Sequence, residues 1–201
     1  MNVTDLIKKK LEKTVTRQQA EEAIKVLLAW AGDNPKREGL LDTPKRVVKA
    51  FEEYFSGYLI DPYKDLEKTF GDVEGYDDMV IQKNISIYSH CEHHMAPIIG
   101  IAHVAYIPHE KVVGLSKLAR VFEAYSRRLQ TQERLTMEIA NTIFKGLKAQ
   151  GAAVSIDAVH HCMTSRGIKK HEATTVTNYF TGVFKESHNL QNRFLHYIGQ
   201  K

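Results

Sequence analysis

Cysteine is scarce in this chain, with two in 201 residues, which excludes a scaffold held together by several disulfides. In a reducing setting two thiols more often stay free or bind metal than form a lasting bridge. No run approaches the roughly 20 consecutive apolar residues that span a bilayer, and the N-terminus lacks the charged, then apolar, then small-residue layout of a signal peptide. The expectation is a cytoplasmic protein with no membrane partner. Neither sign of charge dominates: 28 basic residues face 24 acidic ones, and a net charge of +4 gives no reason to expect a nucleic-acid partner. Internal repeats and low-complexity tracts are absent too. What remains is 43% hydrophobic and 26% charged, an ordinary globular composition long enough to bury a core without metal staples.

The first third reads as helix. Ala23, Ile24, Leu27 and Leu28 recur at helical spacing after the capping candidate Thr16, and the pattern stops near Gly32 and Pro35. A second helix is expected with Thr43 as N-cap, Pro44 in its first turn, and Val47, Val48, Phe51 and Phe55 on its apolar stripe. From Met79 the texture changes to strand, first at Met79 to Ile81 and Ile85 to Tyr88, then at Ile98 to Ile107. Helical periodicity returns over Leu115 to Arg128 and Thr131 to Gln150, and two more strands are expected at Ala152 to Met163 and Thr174 to Lys185. The fold class is therefore α+β, with an antiparallel β-β-α-α-β-β unit over 76–201 behind an N-terminal helical region over 1–75.

Chemistry concentrates in Ser89-His90-Cys91-Glu92-His93-His94, where one thiol and three imidazoles occupy six residues at a strand end. Cys91 and His94 stand in C-x-x-H relation, so a tight turn can bring sulfur and nitrogen to one ion at about 2.3 and 2.0 Å. His160-His161-Cys162 places imidazoles beside the second thiol. Strand alternation would put His160 with Cys162 and send His161 to the opposite face, in a structural role. A structural zinc site wants four closed ligands as two close pairs in a small finger. Here the pairs lie far apart in a domain that can fold without metal, which favours Cys91, His94 and Cys162 as three ligands with a fourth position left for water. Closure by Cys91, His94, His160 and Cys162 together is the competing arrangement. Cys2His ligation suits zinc best and also admits iron. With three ligands, His93 and His160 stay unligated beside the metal, and an ordinary histidine pKa of about 6.5 suits them to proton transfer.

Cations recur in pairs. Arg46 and Lys49 lie three apart on the second helix, Lys117 and Arg120 lie three apart after Gly114, and Arg166 follows Cys162. Each pair alone is an ordinary solvated face; together, around a metal site, they suggest an anionic substrate. Glu133 either caps a helix N-terminus or accepts hydrogen bonds from a purine amide and amine edge, and spacing leaves both open.

Ser89 to Pro97, Gly114-Leu115-Ser116-Lys117 with Arg120, Gln132-Glu133-Arg134-Leu135-Thr136, and His160 to Met163 with Arg166-Gly167 resemble, in order, the motifs of the GTP cyclohydrolase I family. Thr43-Pro44-Lys45-Arg46 is similar to that family's N-terminal motif, so the resemblance spans about Thr43 to Tyr179. It implies the tunnelling fold, in which β-β-α-α-β-β subunits join into rings and two rings stack as a homodecamer with active sites at subunit interfaces. It also implies conversion of GTP and water to formate and 7,8-dihydroneopterin triphosphate, the first step toward folate or tetrahydrobiopterin. Cys91, His94 and Cys162 would hold Zn2+, and His93 and His160 would carry protons. Ser116 would assist the later sugar rearrangement. Glu133 would anchor guanine with Gln132 beside it, while Lys117, Arg120, Arg166, Arg46 and Lys49 would contact the triphosphate. Two other readings stand beside this one. A non-catalytic, zinc-stabilised nucleotide-binding assembly on the same fold would close the metal with four ligands. A related nitrile reductase would need a cysteine nucleophile and no metal, against which the Cys91, His94 and Cys162 set argues.

Overall fold

The computed structural model describes residues 15–67, 69–70 and 75–199. Two compact units divide between Leu59 and Ile60. Among the described residues no helix is long and apolar enough to cross a membrane.

The first unit is helical. Helix α1 (Arg17–Trp30) starts where expected, because Thr16 and Gln19 cap each other reciprocally: Gln19 N donates to Thr16 Oγ1 at 3.2 Å and Thr16 N donates to Gln19 Oε1 at 2.8 Å. Helix α2 (Thr43–Tyr54) begins one residue earlier than the capping signal suggested. Asp42, not Thr43, occupies the N-cap position, and Pro44 is buried in the first turn, where a missing N–H is harmless. The two helices pack together, and Arg17 reaches Glu52 at 3.2 Å.

The second unit is a sheet layered against helices. Its chain order is β1 (Thr69–Phe70), β2 (Val80–Cys91), β3 (Pro97–Ile107), β4 (Val112–Val113), α3 (Leu115–Ser126), β5 (Leu129–Gln130), α4 (Gln132–Gly146), β6 (Gly151–His160), α5 (His161–Thr164), β7 (Thr175–Gly182), α6 (Val183–Glu186) and α7 (His188–Tyr197). The five-stranded sheet runs β5-β2-β3-β6-β7, antiparallel except where short β5 joins β2 in parallel; β1 and β4 form a separate pair. The two strand signals at Met79 and Ile85 belong to one strand, irregular between Gln82 and Ile85, where Asn84 takes a left-handed φ of 61°.

Alternation sorts the side chains of this sheet onto two faces. Ile87, Ile98, Val104 and Ile156 turn toward α3 and α4 and pack with Leu118, Phe122, Leu135, Ile139 and Ile143. Each such side chain fully removed from water contributes about 1.5–3 kcal/mol. On the other face, Ala105, Ile107 and Ala153 meet Phe184 and Phe194 of α6 and α7, while Tyr88, Ile99, Ile101 and Val176 stay exposed. Two strand expectations require correction. The strand expected to run to Met163 stops at His160, where the chain turns into α5, so Cys162 opens a helix rather than continuing an alternation. The strand expected to reach Lys185 stops at Gly182, whose φ of 52° lets the chain turn into α6.

Candidate metal centre and its surroundings

The β2 strand delivers Cys91, buried at 6% exposure, to its C-terminal end. There the chain folds over itself. His94 N and Met95 N both donate to Cys91 O, at 3.3 and 2.8 Å, and Cys91 N donates back to Ala96 O at 2.8 Å. Met95 closes this turn at a left-handed φ of 53°, a conformation that costs a side-chain-bearing residue energy and marks a tightly specified loop. The turn places His94 Nδ1 3.8 Å from Cys91 Sγ. An ion with bonds of about 2.3 Å to sulfur and 2.0 Å to nitrogen in tetrahedral geometry separates those two atoms by about 3.5 Å.

Cys162, in the first turn of α5, completes the set: the ligand atoms of Cys91, His94 and Cys162 all lie within 4.8 Å of one another. Two soft thiol donors and one imidazole converging this closely fit a borderline-soft divalent ion. His93 Nδ1 is also 3.8 Å from Cys91 Sγ, yet His93 does not join the three, and neither does His160. Burial pushes the Cys162 thiol up, reinforced by Cys91 and opposed by the Arg166 charge.

The surroundings follow from the sheet register. Ser89 pairs with Ile98, and Ile98 pairs with His160, so the three lie side by side on the helix-facing side with Cys91 two residues beyond Ser89. His160 Nε2 meets Gln132 Oε1 at 2.7 Å. Burial holds the His160 ring below the usual histidine range, and the Glu133 carboxylate works against that. Glu133 therefore lies near His160 while remaining exposed, and with Arg134, Thr136, Met137, Thr177, Asn178 and Tyr179 it lines a cavity of about 560 Å³ between α4 and β7.

The expected cations divide. Lys117 and Arg120 on α3 converge on one acceptor, Asp65 Oδ1, each at 3.0 Å. Ser116 is exposed one residue before Lys117, and Arg166 is exposed in the turn after α5. Arg46 and Lys49 lie on α2 in the helical unit, where Arg46 reaches Asp42 at 3.4 Å.

The order of these groups along the chain has a counterpart among known proteins. The model of a family described as GTP cyclohydrolase I matches residues 20–199. The chain belongs to the GTP cyclohydrolase I family. A relative from Pelagibacter ubique named GTP cyclohydrolase 1 is 67% identical over 94% of this chain and 93% of its own length. Proteins of the same name from Maricaulis maris and Brucella suis are 56% and 54% identical, over 90% and 92% of this chain and 88% and 87% of theirs. A solved structure described as the archaeosine synthase QueF-Like in the apo form aligns with 52% of this chain and 93% of its own at 15% identity and a TM-score of 0.43.

For this member of the GTP cyclohydrolase I family, sequence reading passed over three residues that bond to or beside the candidate site residues. Asp65 sits in a short 3-10 turn (Lys64–Glu67) with no periodic signal. Glu92 and Arg134 were in view only as neighbours of more conspicuous residues, yet they bond each other across 42 positions. An acidic residue inside the Cys91–His94 turn facing a basic residue in the Gln132–Arg134 run was the available hint.

Proposed function

We propose that this chain catalyses the hydrolytic opening of the GTP purine ring and its rearrangement to 7,8-dihydroneopterin triphosphate, with release of formate. The observation that carries this reading is the convergence of Cys91, His94 and Cys162 within 4.8 Å in a chain of this family, with His160 and Glu133 close by. Cys91, His94 and Cys162 would hold zinc. When bound, zinc supplies Lewis acidity that makes water a competent nucleophile near neutral pH.

The chain's own groups account for the rest. Glu133, which lines the cavity beside α4, would accept hydrogen bonds from the amide and amine edge of guanine. His160 and His93 hold and return the protons that ring opening and reclosure demand. Ser116, next to Lys117, acts in the sugar rearrangement. Lys117, Arg120, Arg166, Arg46 and Lys49 would neutralise the triphosphate, some of them reaching in from neighbouring subunits. The β2-β3-α3-α4-β6-β7 order suits the tunnelling fold, and sheet-face residues such as Tyr88, Ile99, Ile101 and Val176 suit burial in a ring of subunits, here a homodecamer acting in the cytoplasm.

Incubating the zinc-loaded protein with GTP tests the reading. Formate and, after oxidation, a fluorescent pterin should appear in equal amounts. Zinc and GTP binding without either product would overturn it in favour of a non-catalytic assembly.

A further inference from the structure

Gln132 is the first residue of α4, yet it is only 1% exposed. A side chain with two donor hydrogens and an acceptor is buried that deeply only when its hydrogen bonds are made. Its Nε2 donates to Ile156 O at 3.0 Å and to Thr175 O at 2.7 Å, with Thr177 Oγ1 a third acceptor at 3.2 Å. Thr136 Oγ1 donates to Gln132 O at 2.7 Å, which leaves Thr177 to donate to Thr136 Oγ1 at 2.6 Å and to accept from Gln132. The amide therefore has one orientation. Turning it over would set Oε1 against two carbonyl oxygens, which can only accept.

With the amide fixed, Oε1 faces His160 Nε2 at 2.7 Å. An amide oxygen cannot donate, so the hydrogen in this bond belongs to the imidazole. We infer that Gln132 is a positioning residue that holds His160 with its hydrogen on Nε2, leaving Nδ1 as the nitrogen that exchanges protons with the substrate. Nδ1 has no hydrogen-bond partner among the described residues. The inference rests on the reading of His160 as a proton-transfer group. It also gives Gln132 a task other than touching guanine, because every polar atom of its side chain is engaged by Ile156, Thr175, Thr177 and His160.

The test uses the full-length zinc-loaded protein labelled with 15N-histidine. Nitrogen-proton correlations of the His160 ring, assigned by their loss in His160→Asn, should show the Nε2–H form in the wild type without substrate. In Gln132→Met, which keeps the length and removes the acceptor, the Nδ1–H form should appear. The kcat for formate release should fall about tenfold or more while KM for GTP stays within about twofold and zinc is retained. An Nδ1–H ring in the wild type overturns the inference, even if Gln132→Met fails to fold. So does a raised KM at unchanged kcat, which would make Gln132 a substrate contact, or unchanged kcat and KM. A wild type that releases no formate sinks the proposed reaction instead and leaves the tautomer measurement standing on its own.

Discussion

Arg134 grips the Glu92 carboxylate with both terminal nitrogens, Nη1 donating to Oε2 at 2.9 Å and Nη2 to Oε1 at 3.4 Å. Glu92 lies between candidate ligand Cys91 and His93, and its backbone N also donates to Gln130 O of β5 at 3.0 Å. The pair ties the Cys91–His94 turn to the first turn of α4, which carries Gln132 and Glu133. Because it is partly exposed, its share of global stability is about 0.5–1 kcal/mol. Its local effect is larger. Arg134→Ala should leave the melting temperature nearly unchanged but speed zinc loss to a chelator several-fold. Unchanged metal loss would show that the turn is held by its own hydrogen bonds.

Asp65 holds Lys117 and Arg120 as a phosphate oxygen would, through one shared carboxylate oxygen. The hydrogen bond from Lys117 holds its carboxyl below the usual carboxylate range, burial opposes this, and Arg120 adds to the lowering. A depressed folded-state pKa stabilises the protein fully above the unfolded carboxylate value of about 4, and that contribution is lost as pH falls through the folded value. Asp65→Asn should therefore be less stable than the wild type by about 1 kcal/mol at neutral pH, with the gap closing in acid. Denaturant melts across pH check this. On the proposed role of Lys117 and Arg120, the same substitution removes a competitor for the triphosphate, so KM for GTP should drop a few-fold. A rise in KM would mean that Asp65 aims the two cations rather than occupying them.

Gly100 sits where β3 pairs with Ala158 of β6. A Cβ there would overlap the Asp157 carbonyl oxygen and the Ala158 backbone. Gly100→Ala must spread two central strands two residues from Ile98, the residue that registers His160, and should cost about 3 kcal/mol. The melting temperature should fall by about 6 to 12 °C. A shift below about 2 °C would show that the strands can separate cheaply.

The three converging residues were legible because soft donors are rare in this chain and cluster where they occur, and the order of strands and helices followed from apolar period. Orientation was less legible. Period two placed His160 and Cys162 on one strand face, but the chain leaves the strand at His160, and Cys162 reaches the site by the turn of α5. Helix α7 was missed although Ser187 caps it and Leu190 and Phe194 stand four apart, because ten residues after a strand carry only a short stripe. Gln132 read as a substrate-side residue only through the family resemblance, which sets it beside Glu133. Only the register of β6 and β7 reveals the carbonyls that bury it. Asp65 lacked any signal, since a long-range ion pair leaves no local pattern.

The claim that three residues hold the metal while His160 moves protons is tested most directly by metal analysis and a formate assay on one preparation of His160→Asn. The account predicts zinc retained at the wild-type ratio, with formate release reduced about 100-fold or more. Loss of zinc together with activity would make His160 a fourth ligand and contradict it.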